Sequence, residues 1–272
     1  MASAPRNIIL TGIPRSGTTL ITALIDSIPD TVALNEPYWQ FEWMMQHKTS
    51  NTATFVRYLA EDFLTTREKL LQGAPIPERR NPDGTAMTNY YRSDPSSPKA
   101  DTDVPTIPFT RPGLTPNFTL AIKHNGPYLS CLRQIVEAGF SQAIAILRHP
   151  AGVIASWNSM PVPQKKGKMP GAVMYWPQMR QLTDAPMPLL EKQVRMYDLM
   201  CKRLYNLRDL VHVVKYEDVT ENPNIIGDLL GCDVSSFSTH IKKRDVSFYN
   251  DVSPITEAIK KYGEFYRHFY PD

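Results

Sequence analysis

The chain has 272 residues, 42% of them hydrophobic, which excludes a disordered chain and is enough to bury the core of one large domain. Lys and Arg number 30 against 27 Asp and Glu, and this net charge of +3 is too mild to argue for nucleic acid, although a local basic site for an anionic ligand fits it. The cysteines Cys131, Cys201 and Cys232 form no CxxC pair and no zinc-ligand spacing, so they read as small core residues of a chain kept in a reducing compartment.

The opening "MASAPRNIILTGIP" holds no apolar run long enough for a signal peptide, and no segment approaches a membrane span. A soluble cytoplasmic protein with no membrane or nucleic-acid partner is therefore expected. Residues 7–11 are a short apolar run ending at Gly12 and predict a buried strand. Leu20, Ile21, Leu24, Ile25 and Ile28 recur at helical spacing over 18–28, which Pro29 and Asp30 close. A short strand over 31–34 comes next, then helices in "PYWQFEWMMQH" and "ATFVRYLAEDFLTTREKLLQ". Residues 74–118 carry prolines at 75, 77, 82, 95, 98, 105, 108, 112 and 116. Proline fixes φ and removes a donor, so this stretch is expected to lack regular elements and to serve as a lid or acceptor-binding insertion, the rival reading being a disordered segment. Beyond it lie a strand in "FTLAIKHNGPYL", a helix in "YLSCLRQIVEAG" closed by Gly139, a buried strand in "QAIAILRHP" and a helix in "AGVIASWNSM". A helix over 187–207, a strand in "LVHVVKYEDV", a helix over 223–230 and a last helix over 254–266 complete the pattern. No repeat is evident. Strands alternating with helices predict a single α/β domain with a central parallel sheet flanked by helices.

The stretch "GIPRSGTT", residues 12–19, has the glycine spacing of a Walker A phosphate loop, but Thr18 stands where that loop has lysine. Gly12 and Gly17 let backbone N–H groups turn toward an anion at the positive end of a helix dipole. Ser16, Thr18 and Thr19 add hydroxyl groups, and Arg15 supplies a guanidinium at the crest of the loop. A second anion site is spelled by "AILRHPAGVIASW". Arg148 ends a buried strand, and Ser156, eight residues later, lies about two turns into the next helix. Both can face one anion at the carboxyl ends of the strands, where ligands bind in open α/β sheets.

These motifs resemble the sulfotransferase family that uses 3′-phosphoadenosine 5′-phosphosulfate (PAPS) as donor. "PRSGTTL" looks like its 5′-phosphosulfate loop in the arginine form of tyrosylprotein and carbohydrate sulfotransferases, and "LIDSIPDTVALNEPYW" is similar to the helix, turn and strand end that come after the loop in those members. "AILRHPAGVIASW" resembles the 3′-phosphate motif, with His149 where the family usually has Asp, and "VVKYEDVTENP" resembles the "YED" strand and turn. The resemblance covers the phosphate loop through the helix after Arg148, plus the "YED" strand, and leaves out 74–118. It implies a P-loop sulfotransferase-like fold and donor contacts from Arg15, Ser16, Gly17, Thr18, Thr19, Arg148 and Ser156. Tyr216 contacts adenine or simply packs at its strand end. Lys260 and Lys261 are looser candidates for the ribose phosphate.

The reaction so implied moves a sulfuryl group in line from PAPS to a hydroxyl or amine of a small-molecule, natural-product or carbohydrate acceptor, releasing 3′,5′-phosphoadenosine (PAP). Arg15 and the loop N–H groups stabilise charge on the leaving phosphate, and no metal is expected. Two residues compete as base: Glu36 in "LNEPYW", as in the carbohydrate and tyrosylprotein members, and His124 in "IKHNGP", which resembles the "K-T-H" stretch of cytosolic members. Lys123 would then steady the sulfonate. Tyr38, Trp39, Phe41 and Trp43 line an acceptor pocket or pack a helix, and Asp94, Asp101 and Asp103 would suit a cationic acceptor. The rival functions are a P-loop small-molecule kinase, with Glu217 and Asp218 as Walker-B-like acids, and a nucleotide-binding module without catalysis.

Overall fold

Along the first strand, β1 (Arg6–Gly12), Ile8 and Leu10 join one hydrophobic cluster while Ile9 joins the other. The alternation continues in its neighbours, with Ala33, Ala121, Ile144 and Ile146 on one face and Val32, Leu34, Leu120, Ile122, Ala145 and Leu147 on the opposite one. A strand sends successive side chains to opposite faces, so apolar residues at both parities require helices on both sides. The computed structural model describes residues 6–48, 51–92, 99–100, 106–140, 142–232, 247, 249 and 251–271.

The protein is a single α/β domain. Its strands are β1, β2 (Thr31–Asn35), β3 (Ile76–Arg79), β4 (Tyr91–Arg92), β5 (Lys99–Ala100), β6 (Thr106–Phe109), β7 (Thr119–Lys123), β8 (Gln142–Leu147) and β9 (His212–Lys215). Five of them form a central parallel sheet in the order β2-β7-β1-β8-β9. Helices Thr18–Asp26, Tyr216–Glu221 and Asn224–Leu230 cover one face; Thr52–Leu71, Leu132–Glu137, Pro150–Ser159 and Leu189–Asn206 cover the other. From β1 the chain first builds one side of the sheet, then crosses to build the other. That reversal opens a crevice at the carboxyl end of β1.

The structure corrects several boundaries. The expected helix over 128–139 is two short ones, Gly126–Ser130 and Leu132–Glu137, broken at Cys131. The strand read through "YEDV" stops at Lys215, and a helix begins at Tyr216. Residues 74–118 are not devoid of regular structure: β3 pairs with β6, and β4 with β5. Pro77 stands opposite Pro108, both exposed, and the other residues of this two-stranded ribbon keep the ladder. A free-standing ribbon has two open edges, where proline's missing donor costs nothing.

Among the described residues no sixth parallel strand lies beyond β2, and side chains satisfy its outer edge. Ala33 donates its N–H to Asp26 Oδ1 at 2.8 Å, and Asn35 donates its N–H to Glu78 Oε1 at 2.9 Å. Arg80, only 1% exposed, donates to the Ala33 carbonyl and grips both oxygens of Asp26, while Arg111 donates to Asp26 Oδ2 at 2.7 Å. Two buried acids and two arginines thus fasten the root of the insertion to the edge of the sheet.

Candidate active site

Each central strand delivers one functional group just past its carboxyl end. In the order of the sheet these are Glu36 after β2, Lys123 closing β7, the 12–17 loop after β1, Arg148 after β8 and Tyr216 after β9. Adjacent strands lie about 4.8 Å apart, so the row from Glu36 to Arg148 spans roughly 15 Å. All five positions line one cleft of about 590 Å³.

The 12–17 loop is fixed by β8 and by the helix that follows it. Ile13 donates its N–H to the Ile146 carbonyl at 3.1 Å, and Trp157 donates its indole N–H to the Pro14 carbonyl at 3.0 Å. Gly12 and Gly17 are both needed: a Cβ on Gly12 would stand 2.3 Å from the Ile146 carbonyl oxygen. Gly17, with φ of 83°, caps the helix that starts at Thr18. Arg15 has φ of 76° and Glu36 of 53°, and Asp30 is the one other non-glycine residue in this left-handed region among the described residues. Backbone strain of this kind costs of order 1–3 kcal/mol and gathers at functional sites.

Arg15 donates from Nε to Ser156 Oγ at 3.1 Å. The Arg148 side chain folds back over the same helix: a Cβ on Gly152 would lie 3.1 Å from its Nε. Gly152 and Ser156 are one turn apart, so the two guanidinium groups stand over successive turns of a single helix. The Arg148 guanidinium also lies over the Tyr216 ring, 4.9 Å from its centroid. Ser156 is buried and bonds Arg15, so it ties the two motifs together. His149 caps the helix, its Nδ1 accepting the N–H of Ala151 at 3.3 Å.

On the other side of the loop, Lys123, its side chain 3% exposed, donates to Glu36 Oε1 at 2.9 Å, while the Glu36 side chain is 35% exposed. Burial alone would raise the Glu36 carboxyl, but the Lys123 charge and hydrogen bond, with His124 and Arg79, bring it down to about 2. His124 is 5% exposed and is not part of the cleft wall. Burial lowers its ring to about 4, against the opposing pull of Glu36, and its Nε2 has no hydrogen-bond partner.

Other expected residues are placed elsewhere. Glu217 accepts the N–H of His149 at 3.0 Å and the hydroxyl of Tyr270 at 2.7 Å, an anchoring role rather than a metal-holding one. Lys260 and Lys261 are exposed on helix Ser253–Tyr262, away from the cleft wall. Trp43 stacks on Tyr58, both half-buried against the core, and Tyr38 is exposed. Asp94, Asp101 and Asp103 lie outside the described residues. Among the described residues no group of three or more His, Cys, Asp or Glu could hold a metal ion, and no helix is long and apolar enough to cross a membrane. Sequence reasoning missed Arg79, Thr88, Asn89 and Tyr90, which the insertion contributes to the cleft. No local motif marks them.

No model of a protein family matches this chain, and no curated protein matches it. Among solved structures, the sulfotransferase domain from the curacin biosynthetic pathway is similar at a TM-score of 0.47 and 14% identity, over 99% of this chain and 99% of that one. The sulfotransferase domain from the Synechococcus PCC 7002 olefin synthase gives 0.42 and 15%, over 96% of this chain and 88% of that one. Sulfotransferase STF1 from Mycobacterium tuberculosis H37Rv gives 0.38 and 14%, over 96% and 78%. At such identities and scores these likenesses say nothing about chemistry, which rests on the residues of the cleft.

Proposed function

We propose that this protein is a sulfotransferase that takes PAPS as donor and a hydroxyl- or amine-bearing small molecule, natural product or carbohydrate as acceptor. The observation that carries the reading is the pair of guanidinium groups over successive turns of helix Pro150–Ser159, Arg15 on Ser156 and Arg148 over Gly152. Two cations rooted at neighbouring strand ends suit a ligand with two separate anionic ends. The residues fit such a donor: Ser16 Oγ is buried beneath the loop without a partner, Gly17 brings the backbone close, and Tyr216 offers a ring beside Arg148. When bound, PAPS supplies the sulfuryl group and a phosphate as leaving group.

The protein's own part is positional and electrostatic. Arg15 and the N–H groups of residues 17–19 hold the 5′ end and offset charge that develops on it, the Ser16 N–H being spent on the Ile13 carbonyl. Arg148 holds the ribose phosphate, and Thr18, where a nucleotide triphosphate loop has lysine, leaves the cationic task to Arg15. Glu36 accepts the proton of the acceptor. It is ionised throughout the neutral range, and any anion that engages Lys123 weakens the hold of that lysine and raises the carboxylate's basicity. His124 backs Glu36 from the buried side.

Calorimetry with PAP and turnover with PAPS over a panel of alcohols, phenols, sugars and amines test this. Glu36→Ala is expected to lower kcat by about 10²–10⁴-fold with PAP affinity unchanged, whereas His124→Ala keeps most of the turnover. No binding of PAP, full turnover in Glu36→Ala, or turnover with ATP and magnesium in place of PAPS would overturn the reading.

A further inference from the structure

We propose that the acceptor carries a carboxylate or comparable planar oxyanion beside its reacting hydroxyl, and that Arg79 recognises it; this inference rests on the donor and base assignments above. The row of strand-end groups fixes the direction. The two donor-binding arginines, Arg15 and Arg148, lie on one side of Lys123 and Glu36. β3 runs outside the edge strand β2, tied to it through Glu78 and Asn35, so Arg79 takes the next place in the row beyond Glu36. What lies past the base, away from the donor, faces the acceptor.

Arg79 is prepared for an anion that the described residues do not provide. The guanidinium lies over the Tyr90 ring, 4.8 Å from its centroid, and both residues line the cleft. Among the described residues no carboxylate stands within ion-pair distance of it. The acids nearby are already engaged: Glu36 by Lys123, Glu78 by the Asn35 N–H, and Asp26 by Arg80 and Arg111. Strand alternation sends Glu78 inward and Arg79 toward the cleft, so the neighbouring acid cannot turn to it. Stacking on an aromatic face leaves the N–H edge of a guanidinium for two parallel bonds to a planar oxyanion, which an ammonium cannot make. Thr88 and Asn89 add neutral polar groups to the same wall, and Glu36 is the one acid among the described residues that line the cleft.

Binding by calorimetry to the wild-type protein, with and without PAP, tests this on matched pairs: 4-hydroxybenzoate and its methyl ester, 3-hydroxybutyrate and its amide, galacturonate and galactose. At least one acid is expected to bind about tenfold or more tightly than its neutral partner, the worth of one charge-assisted pair. Arg79→Gln should abolish that preference, Arg79→Lys should keep part of it, and both should leave PAP affinity unchanged. Equal affinity within every pair, absence of binding by every acid, or a preference that survives Arg79→Gln would overturn the proposal. So would an Arg79→Gln protein that loses affinity for PAPS but not for PAP, because that result places the guanidinium on the donor's sulfuryl group. Failure of PAP to bind the wild type overturns the donor reading alone, since the acid preference is read in the PAP-free protein as well.

Discussion

A methyl group added to Gly17 would stand 2.3 Å from Cδ2 of Tyr216, on a backbone with φ of 83°. Both faults act at once, strain of about 1–3 kcal/mol and a collision with the ring beside Arg148. Gly17→Ala is therefore expected to weaken PAP binding by roughly tenfold or more while the fold survives. Adding Tyr216→Ala should restore part of the loss, and calorimetry on the double-mutant cycle reads the coupling; strict additivity would show that the ring and the loop do not constrain each other. Gly17 was legible because the P-loop pattern places it, whereas its contact with Tyr216, far along the chain, was not. The same holds for Arg15: its place at the crest can be read from "PRSGTT", but its bond to Ser156 joins two motifs that look independent in the sequence.

The edge of the sheet is where the insertion acquires its meaning. Nine prolines argue against regular elements over 74–118, and the argument fails because two of them fit an isolated ribbon whose edges need no partner. Arg80 is the fastening. It never meets the cleft, yet it holds Asp26 and the Ala33 carbonyl on the strand that leads to Glu36. Removing one member of a buried ion pair costs about 3–5 kcal/mol. Arg80→Met should lose stability toward the low end of that range, because Arg111 still neutralises Asp26. kcat should fall as β2 loosens while PAP affinity holds. Thermal melts and turnover check this, and a stable variant with full turnover would show that the insertion root does not position the base.

Across the whole molecule, two buried groups give opposing responses to pH. Glu78, 3% exposed and faced by the Asn35 N–H, Arg79, Arg80 and Asp26, is pushed by burial up to about 7 from an ordinary value of 4.5. Between those values the folded state keeps a proton that the unfolded chain has released, so stability falls as pH rises through the window. At 1.36 kcal/mol per pH unit, this amounts to about 3 kcal/mol. His124, lowered by burial to about 4 from 6.5, does the reverse, and its contribution is lost as pH falls from 6.5 toward 4. Glu78→Gln keeps an acceptor for Asn35 and removes the first response. Its melting temperature relative to wild type should rise between pH 5 and pH 8; a constant offset would mean that Glu78 titrates normally.

Alternating apolar strands and helices, and two motifs with the spacing expected of anion sites, are local patterns. Their period or spacing follows from backbone geometry, and so the α/β fold class and the positions of Arg15, Arg148 and Glu36 could be read from the chain. Neither the meeting of Arg15 with Ser156, the burial of His124 behind Glu36, nor the arrival of Arg79 beyond Glu36 has any such pattern. Each depends on which strand lies beside which, and the packing of the sheet edge brings those side chains together across long stretches of chain.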